Sequence, residues 1–188
     1  MKKTLLLFIL VFCGITSAFS SHVMGGDITY TCLGGNQYQV TLTLYRDCSG
    51  ATISQLGQTV DFTSSCGNQT VTLPFTGITE VSQLCPGPMG INQSTCNGGT
   101  QPGTEQYTFS GVVTLPPCAD WIMSWDLCCR NNAITNLQNA SGNNLYIQTT
   151  LNSIAAPCNN SVQFAAIPTP YLCVNQLIIF NHLSLIHI

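Results

Sequence analysis

The chain has 188 residues, with four Lys+Arg, seven Asp+Glu and three His, for a formal charge of −3. Charged residues make up 6%, against about 25% in an ordinary soluble domain. So few cations exclude a basic nucleic-acid binder, the lack of Glu and Lys excludes a long coiled coil, and 45% hydrophobic residues exclude a low-apolar disordered chain.

In chain order, Met1-Lys2-Lys3 opens with positive charge, Thr4 to Ile15 is uncharged and apolar, and Thr16-Ser17-Ala18 is small. This is the pattern of a secretory signal peptide, here residues 1–20, with cuts compatible after Ala18 or Ser20, and the apolar run is too short to span a bilayer. Phe12 is too bulky before Cys13 for a lipoprotein site. The mature chain keeps only Arg46 and Arg130 against seven acids, a net charge of −5. Such a surface has little attraction for anionic lipid or nucleic acid.

Residues 21–176 read as one all-β domain. Tyr38, Val40, Leu42 and Leu44 alternate with Gln39, Thr41 and Thr43. Val71, Leu73 and Phe75 alternate with Thr70 and Thr72, and Tyr107, Phe109, Val113 and Leu115 with Thr108, Ser110 and Thr114. Trp121, Met123, Trp125 and Leu127 form a further row, and Leu145, Ile147 and Leu151 another. Period-2 rows of this kind are half-buried strands. Gly34-Gly35-Asn36 reads as a hairpin between strands near 28–33 and 37–46. About seven or eight strands punctuated by turn residues indicate an antiparallel β-sandwich of the Ig/PKD-like kind, with one long loop over 85–103. Ala133 to Gln138 reads as a single helical turn. Leu177 to Ile188 is apolar, but Asn181, His182 and His187 interrupt it and it is too short for a membrane helix.

Cys13 leaves with the signal. Ten cysteines remain, at 32, 48, 66, 85, 96, 118, 128, 129, 158 and 173. An even count in an exported chain reads as a disulfide framework whose pairing the sequence leaves open. A bridge between Cys85 and Cys96 would close the loop they flank. Cys128 and Cys129, adjacent in a strand, would point to opposite faces and seek different partners. No C-x2-C pair supports zinc.

For nucleophilic chemistry, His22, His182 and His187 are the only histidines, one near the new N-terminus and two near the C-terminus. Asp120 with Asp126, or Glu80 with Glu105, would be a carboxylate pair for glycoside hydrolysis if correctly spaced, although solvated surface acids are the commoner reading. Asp27, Asp47 and Asp61 are oxygen donors that calcium could use, without D-x-D-x-D spacing. Cys96-Asn97-Gly98-Gly99 lacks the Lys and context of a phosphate loop. Arg46 beside Asp47, and Arg130 near Asp126, read as ion pairs, with ligand contact by Arg130 the bolder reading. Trp121 and Trp125 would stack on sugar rings if exposed and fill the core if buried. Sequons stand at Asn68, Asn92, Asn139 and Asn159.

Five segments carry a family resemblance: His22 to Gly34, Tyr38 to Cys48, Gly111 to Pro117, Trp121 to Asn136 with its CCRN and AITN sequences, and Tyr171 to Gln176. Together they resemble the amino-terminal region of large secreted Bacteroidetes proteins with PKD- or Ig-like repeats and a gliding-motility-associated, type IX secretion sorting domain. The resemblance covers His22 to about His182. Leu183 to Ile188 departs from it and reads as foreign contig-end sequence, so the chain reads as a C-terminally truncated fragment. The residues and the resemblance together read as a non-enzymatic, secreted or cell-surface module with no cofactor other than the calcium weighed above. Its role would be structural display or adhesion, its partners an unknown surface or glycan ligand and the downstream repeats of its own full-length chain. A glycan-binding module and a fragment of a secreted hydrolase are the alternatives.

Overall fold

The computed structural model describes residues 23–82, 84, 93–130, 134–164, 177 and 184–185. The signal segment, Cys85 and Cys173, the three histidines and Asn92 all lie outside the described residues. Strands β1 (Val23–Gly34), β2 (Gln37–Asp47), β3 (Gln58–Ser64), β4 (Gly67–Leu73), β5 (Phe75–Glu80), β6 (Thr104–Thr114), β7 (Trp121–Leu127) and β8 (Leu145–Leu151) make two four-stranded antiparallel sheets. Their orders are β1-β2-β6-β5 and β4-β3-β7-β8, and the sheets pack face to face as a β-sandwich. A short pair, β9 (Gln163–Phe164) with β10 (Ser184–Leu185), stands apart.

The alternating rows explain the two layers. Val40, Leu42, Leu44 and Phe109 from one sheet meet Val60, Phe62, Met123 and Trp121 from the other in a core that excludes water. The outward faces carry Thr, Ser and Gln, and Thr41 shares a hydroxyl contact of 2.8 Å with Ser110 across β2 and β6. The β1–β2 hairpin turns at Gly35 and Asn36, with φ of 58° and 63°. Two successive positive φ values give the turn twist that matches paired strands.

The row Val71–Leu73–Phe75 is divided between the sheets. Val71 and Leu73 lie in β4 and Phe75 in β5, and Pro74 marks the change of sheet. Proline has no N–H for a ladder, so a strand can bend there without orphaning a donor. Pro74 still accepts from the Ser110 N–H at 3.0 Å, which starts the β5–β6 pairing. The helical turn falls at Ala140–Gly142 instead of Ala133–Gln138, whose described residues are irregular.

Strand β1 is an edge strand, and its free edge is covered at Tyr30 and Cys32. Tyr30 donates its N–H to the Ser161 hydroxyl at 2.8 Å and accepts the Ser161 N–H at 2.9 Å, while the Cys32 N–H meets the Asn160 side-chain oxygen at 2.8 Å. The segment after Cys158 thereby satisfies groups that would otherwise template pairing with another chain.

The central packing makes Leu42→Ala costly, by about 2–5 kcal/mol for a cavity in a tightly packed core. The exposed Thr63→Ala should stay within about 0.5 kcal/mol of the parent. Urea midpoints at equal slope measure both.

Candidate functional site: the loop-rich end of the sandwich

One end of the sandwich is made of short turns, the β1–β2 hairpin and the β3–β4 turn, with the 115–120 connection and the residues after Leu151. Two disulfides close it: Cys32–Cys158 and Cys66–Cys118, with Cα separations of 5.0 and 6.1 Å. Asp120 accepts the Ser65 N–H and hydroxyl there, at 3.1 and 2.9 Å, and so fixes the β3–β4 turn.

The opposite end gathers, among the described residues, the segments 48–57, 81–82, 93–103, 128–130 and 134–144. Loops on a rigid scaffold are where binding residues concentrate, and Arg46 and Arg130 both lie here. Cys48–Cys96 staples segment 48–57 to segment 93–103. The Cys48 N–H donates to the Gly103 carbonyl at 3.0 Å beside it. Cys96 therefore pairs with Cys48 and not with Cys85, because the two loops are brought together by strand pairing and not by sequence proximity. Metal-ligand geometry recurs at Cys48, Cys96 and Glu105 and at Cys66, Cys118 and Asp120, but in both groups the two sulfurs are bonded to each other and are not free thiolates.

Arg46 is the organiser of this end. It points inward from β2 and is 6% exposed. Its partner is Glu105, directly across on β6, and not the neighbouring Asp47. Successive residues on a strand face opposite sides, so the sequence neighbour is the wrong partner. The guanidinium also donates to the carbonyls of Ala51 at 2.8 Å and Gly50 at 2.6 Å, and so holds the 48–51 bend. The Tyr107 hydroxyl donates to Glu105 at 3.2 Å. Asp47 accepts from the Ser49 N–H and hydroxyl, each at 2.8 Å.

Glu80 sits opposite Glu105 in the β5–β6 register, so the structure does bring that carboxylate pair together. Both carboxylates are engaged in holding local structure. Hydrogen bonds from Ser94 above all, then Ser82 and Asn97, hold the Glu80 carboxyl below its ordinary range. A general acid needs the opposite shift, and Glu105 is bound to Arg46. Glu80 instead pins the single turn Thr95–Asn97, accepting from the Ser94 hydroxyl and from the Asn97 amide at 2.6 Å. Ser94 is fully buried and its oxygen also takes the Cys96 N–H at 3.1 Å. Asp120, just before β7, and Asp126, near its end, stand six positions apart, about 20 Å at strand rise, and serve opposite ends of the sandwich.

The calcium candidates are scattered. Asp27 lies on β1, Asp47 ends β2, and Asp61 lies in the other sheet, where it accepts from Thr70 at 2.7 Å. Asp27 is opposite Thr43 on the outer face. Burial pushes its carboxyl up to about 6, opposed in part by a Thr43 hydrogen bond. Burial foremost, then the nearby Asp27 charge, pushes Tyr45 up to about 12.

Trp121 and Trp125 are 2% and 4% exposed. Both are core residues and not a sugar platform; their indole N–H groups donate to the Pro116 carbonyl at 2.9 Å and the Gln58 side chain at 3.2 Å. Arg130 does not pair with Asp126. Its N–H and Nε donate to the carbonyls of Asn143 and Asn144 at 3.0 and 3.2 Å, and the Asn144 amide reaches Asp126 at 3.3 Å.

Cys128 and Cys129 are bonded to each other. The expectation of opposite faces fails because β7 ends at Leu127, and Cys129 takes a left-handed backbone with φ 75°. Strand alternation has no force outside the strand.

Fold and bonding define a disulfide-stapled β-sandwich with a loop-rich end. Among the described residues no helix is long and apolar enough to cross a membrane. Comparison with family models, curated proteins and solved structures found no match.

Two outcomes follow for these groups. Glu105→Gln leaves the Arg46 charge without its counter-charge and should cost about 3 kcal/mol in denaturant unfolding. Asp27 is raised in the folded state, so the native protein holds its proton where the unfolded chain has lost it, and stability falls as pH rises from about 4 through about 6. Asp27→Asn should therefore be more stable than the parent at pH 8, with the advantage gone below pH 4, when melting temperatures are followed against pH.

Proposed function

We propose that the chain is a non-enzymatic extracellular module whose work is structural display and contact through its loop-rich end, as part of a larger adhesin-like surface protein. The observation that carries this reading is the bonding pattern. Three bridges join segments 48 to 126 residues apart, and such bridges persist in oxidising compartments. The signal-like start of the sequence points the same way. The loop-rich end supports a contact role because its polar groups are engaged in holding loop backbone: Arg46 holds 48–51, Glu80 holds 94–97 and Arg130 holds 143–144. A frame of fixed loops with low charge suits shape-based contact. The resemblance of its sequence to amino-terminal regions of gliding-motility-associated proteins supports a position at the front of a type IX secreted chain. The sugar-stacking alternative loses its ground with both tryptophans in the core.

The test uses antibody raised against the folded domain on cells of the source organism. Intact, unpermeabilised cells should stain as strongly as permeabilised ones, and purified domain in the medium should reduce cell attachment to a solid surface. Staining only after permeabilisation, or attachment unchanged by saturating domain, would overturn the proposal.

A further inference from the structure

We infer that Cys128–Cys129 is a thiol-exchange site, opened by a low-molecular-weight thiol such as cysteine or glutathione, and that its opening releases Arg130 at the loop-rich end. Topology sets this bridge apart. The other described bridges have sequence separations of 126, 48 and 52, whereas this one has a separation of 1. A bridge stabilises by closing a loop that would otherwise roam in the unfolded chain, and the effect grows with loop length. Cys128–Cys129 closes only its own small ring, so opening it leaves the two sheets tied as before.

Its placement makes exchange accessible. Cys128 is exposed, just past the end of β7, and Cys129 is half-buried; Cys66 and Cys158 are exposed as well, so the separation of 1, and not exposure alone, distinguishes this bridge. Exposed disulfides are the labile ones. A thiolate attacks Cys128 Sγ, the Cys128–Cys129 bond breaks, and its electron pair leaves on Cys129 Sγ, which takes a proton from water. A second thiol attacks the small-molecule sulfur of this mixed disulfide and leaves the Cys128/Cys129 dithiol with the free disulfide of the small thiol. Without a second thiol, Cys129 attacks Cys128 again and expels the first.

The bridge also reaches a cation. The ring holds Cys129 at φ 75°, a conformation unfavourable for a residue with a β-carbon. The next residue is Arg130, whose N–H and Nε are fixed on the Asn143 and Asn144 carbonyls. Opening the ring lets Cys129 return to the extended region and moves Arg130 off those carbonyls.

The sequence supplies a direct readout. Without Lys2 and Lys3, the mature chain offers trypsin only Arg46 and Arg130, and Arg46 is buried in its ion pair. The oxidised mature chain is treated with millimolar glutathione, quenched with iodoacetamide and mapped, with trypsin cleavage after Arg130 followed in parallel. Alkylation or glutathionylation should reach Cys128 and Cys129 about tenfold faster than Cys32, Cys48, Cys66, Cys96, Cys118 and Cys158. Cleavage after Arg130 should rise about tenfold with it. The double variant Cys128→Ser, Cys129→Ser should keep the urea midpoint of the parent, lack the fast thiol phase and be cut after Arg130 without thiol. Equal labelling of all bridges, an untreated protein with Cys128 or Cys129 joined to Cys85 or Cys173, unchanged cleavage on reduction, or a variant that fails to fold would each overturn the inference.

Discussion

Disulfides between distant loop segments are the constraint on which the rest of the structure depends. Among the described residues the chain has one ion pair, Arg46–Glu105, and the polar part of its surface is mostly hydroxyl and amide. The hydrophobic core orients the two sheets but says little about loops, which bury few apolar groups. Cys48–Cys96 joins two of the loop segments at one end, while Cys66–Cys118 and Cys32–Cys158 tie the other end, the last of them fixing the segment that covers the β1 edge. In the chain-entropy account, loops of this length are worth about 4–5 kcal/mol each, a large part of a domain's net stability.

Around the bridges, hydrogen bonds from hydroxyl and backbone groups, several of them to carboxylates, take the place of salt bridges. Ser94 is buried between Glu80 and the Cys96 backbone, Asp120 binds Ser65 beside Cys66, and Ser153 exchanges two hydrogen bonds with the Cys118 backbone at 3.0 and 3.1 Å. Each staple is thus set in a polar cluster that fixes the backbone on one or both sides of the sulfur. Exposed ion pairs would be screened by salt and contribute little; the hydrogen bonds of Ser94 and Ser153 lie at buried residues, where screening is weak. The single strong charge pair is turned inward, where Arg46 organises a bend and leaves no free cation at that point.

The sandwich was legible because its signal is redundant. Five alternating rows of apolar side chains, from Tyr38 to Leu151, each mark a strand face, and errors in one row do not alter the layer count. The change of sheet at Pro74 was hidden because alternation runs unbroken across it; only the missing N–H hinted at a bend. The functional end was less legible for the same reason that partners are. Arg46 sits beside Asp47 in sequence but faces Glu105, fifty-nine positions on, a contact set by β2–β6 register. Cys96 likewise found Cys48 through strand pairing. The adjacent bridge at Cys128 and Cys129 turned on where β7 stops, and strand ends are the least determined feature of any sequence pattern. The burial of Trp121 and Trp125 followed directly from their sharing a row with Met123 and Leu127.

The central claim is that distant loop segments are joined by sulfur in the folded chain. Peptide mapping of the oxidised, unreduced protein by mass spectrometry, after cleavage at acidic pH to prevent exchange, tests it most directly. The account predicts linked peptides containing Cys32 with Cys158, Cys48 with Cys96 and Cys66 with Cys118. Free thiols at these six positions, or a different set of partners among them, would contradict it.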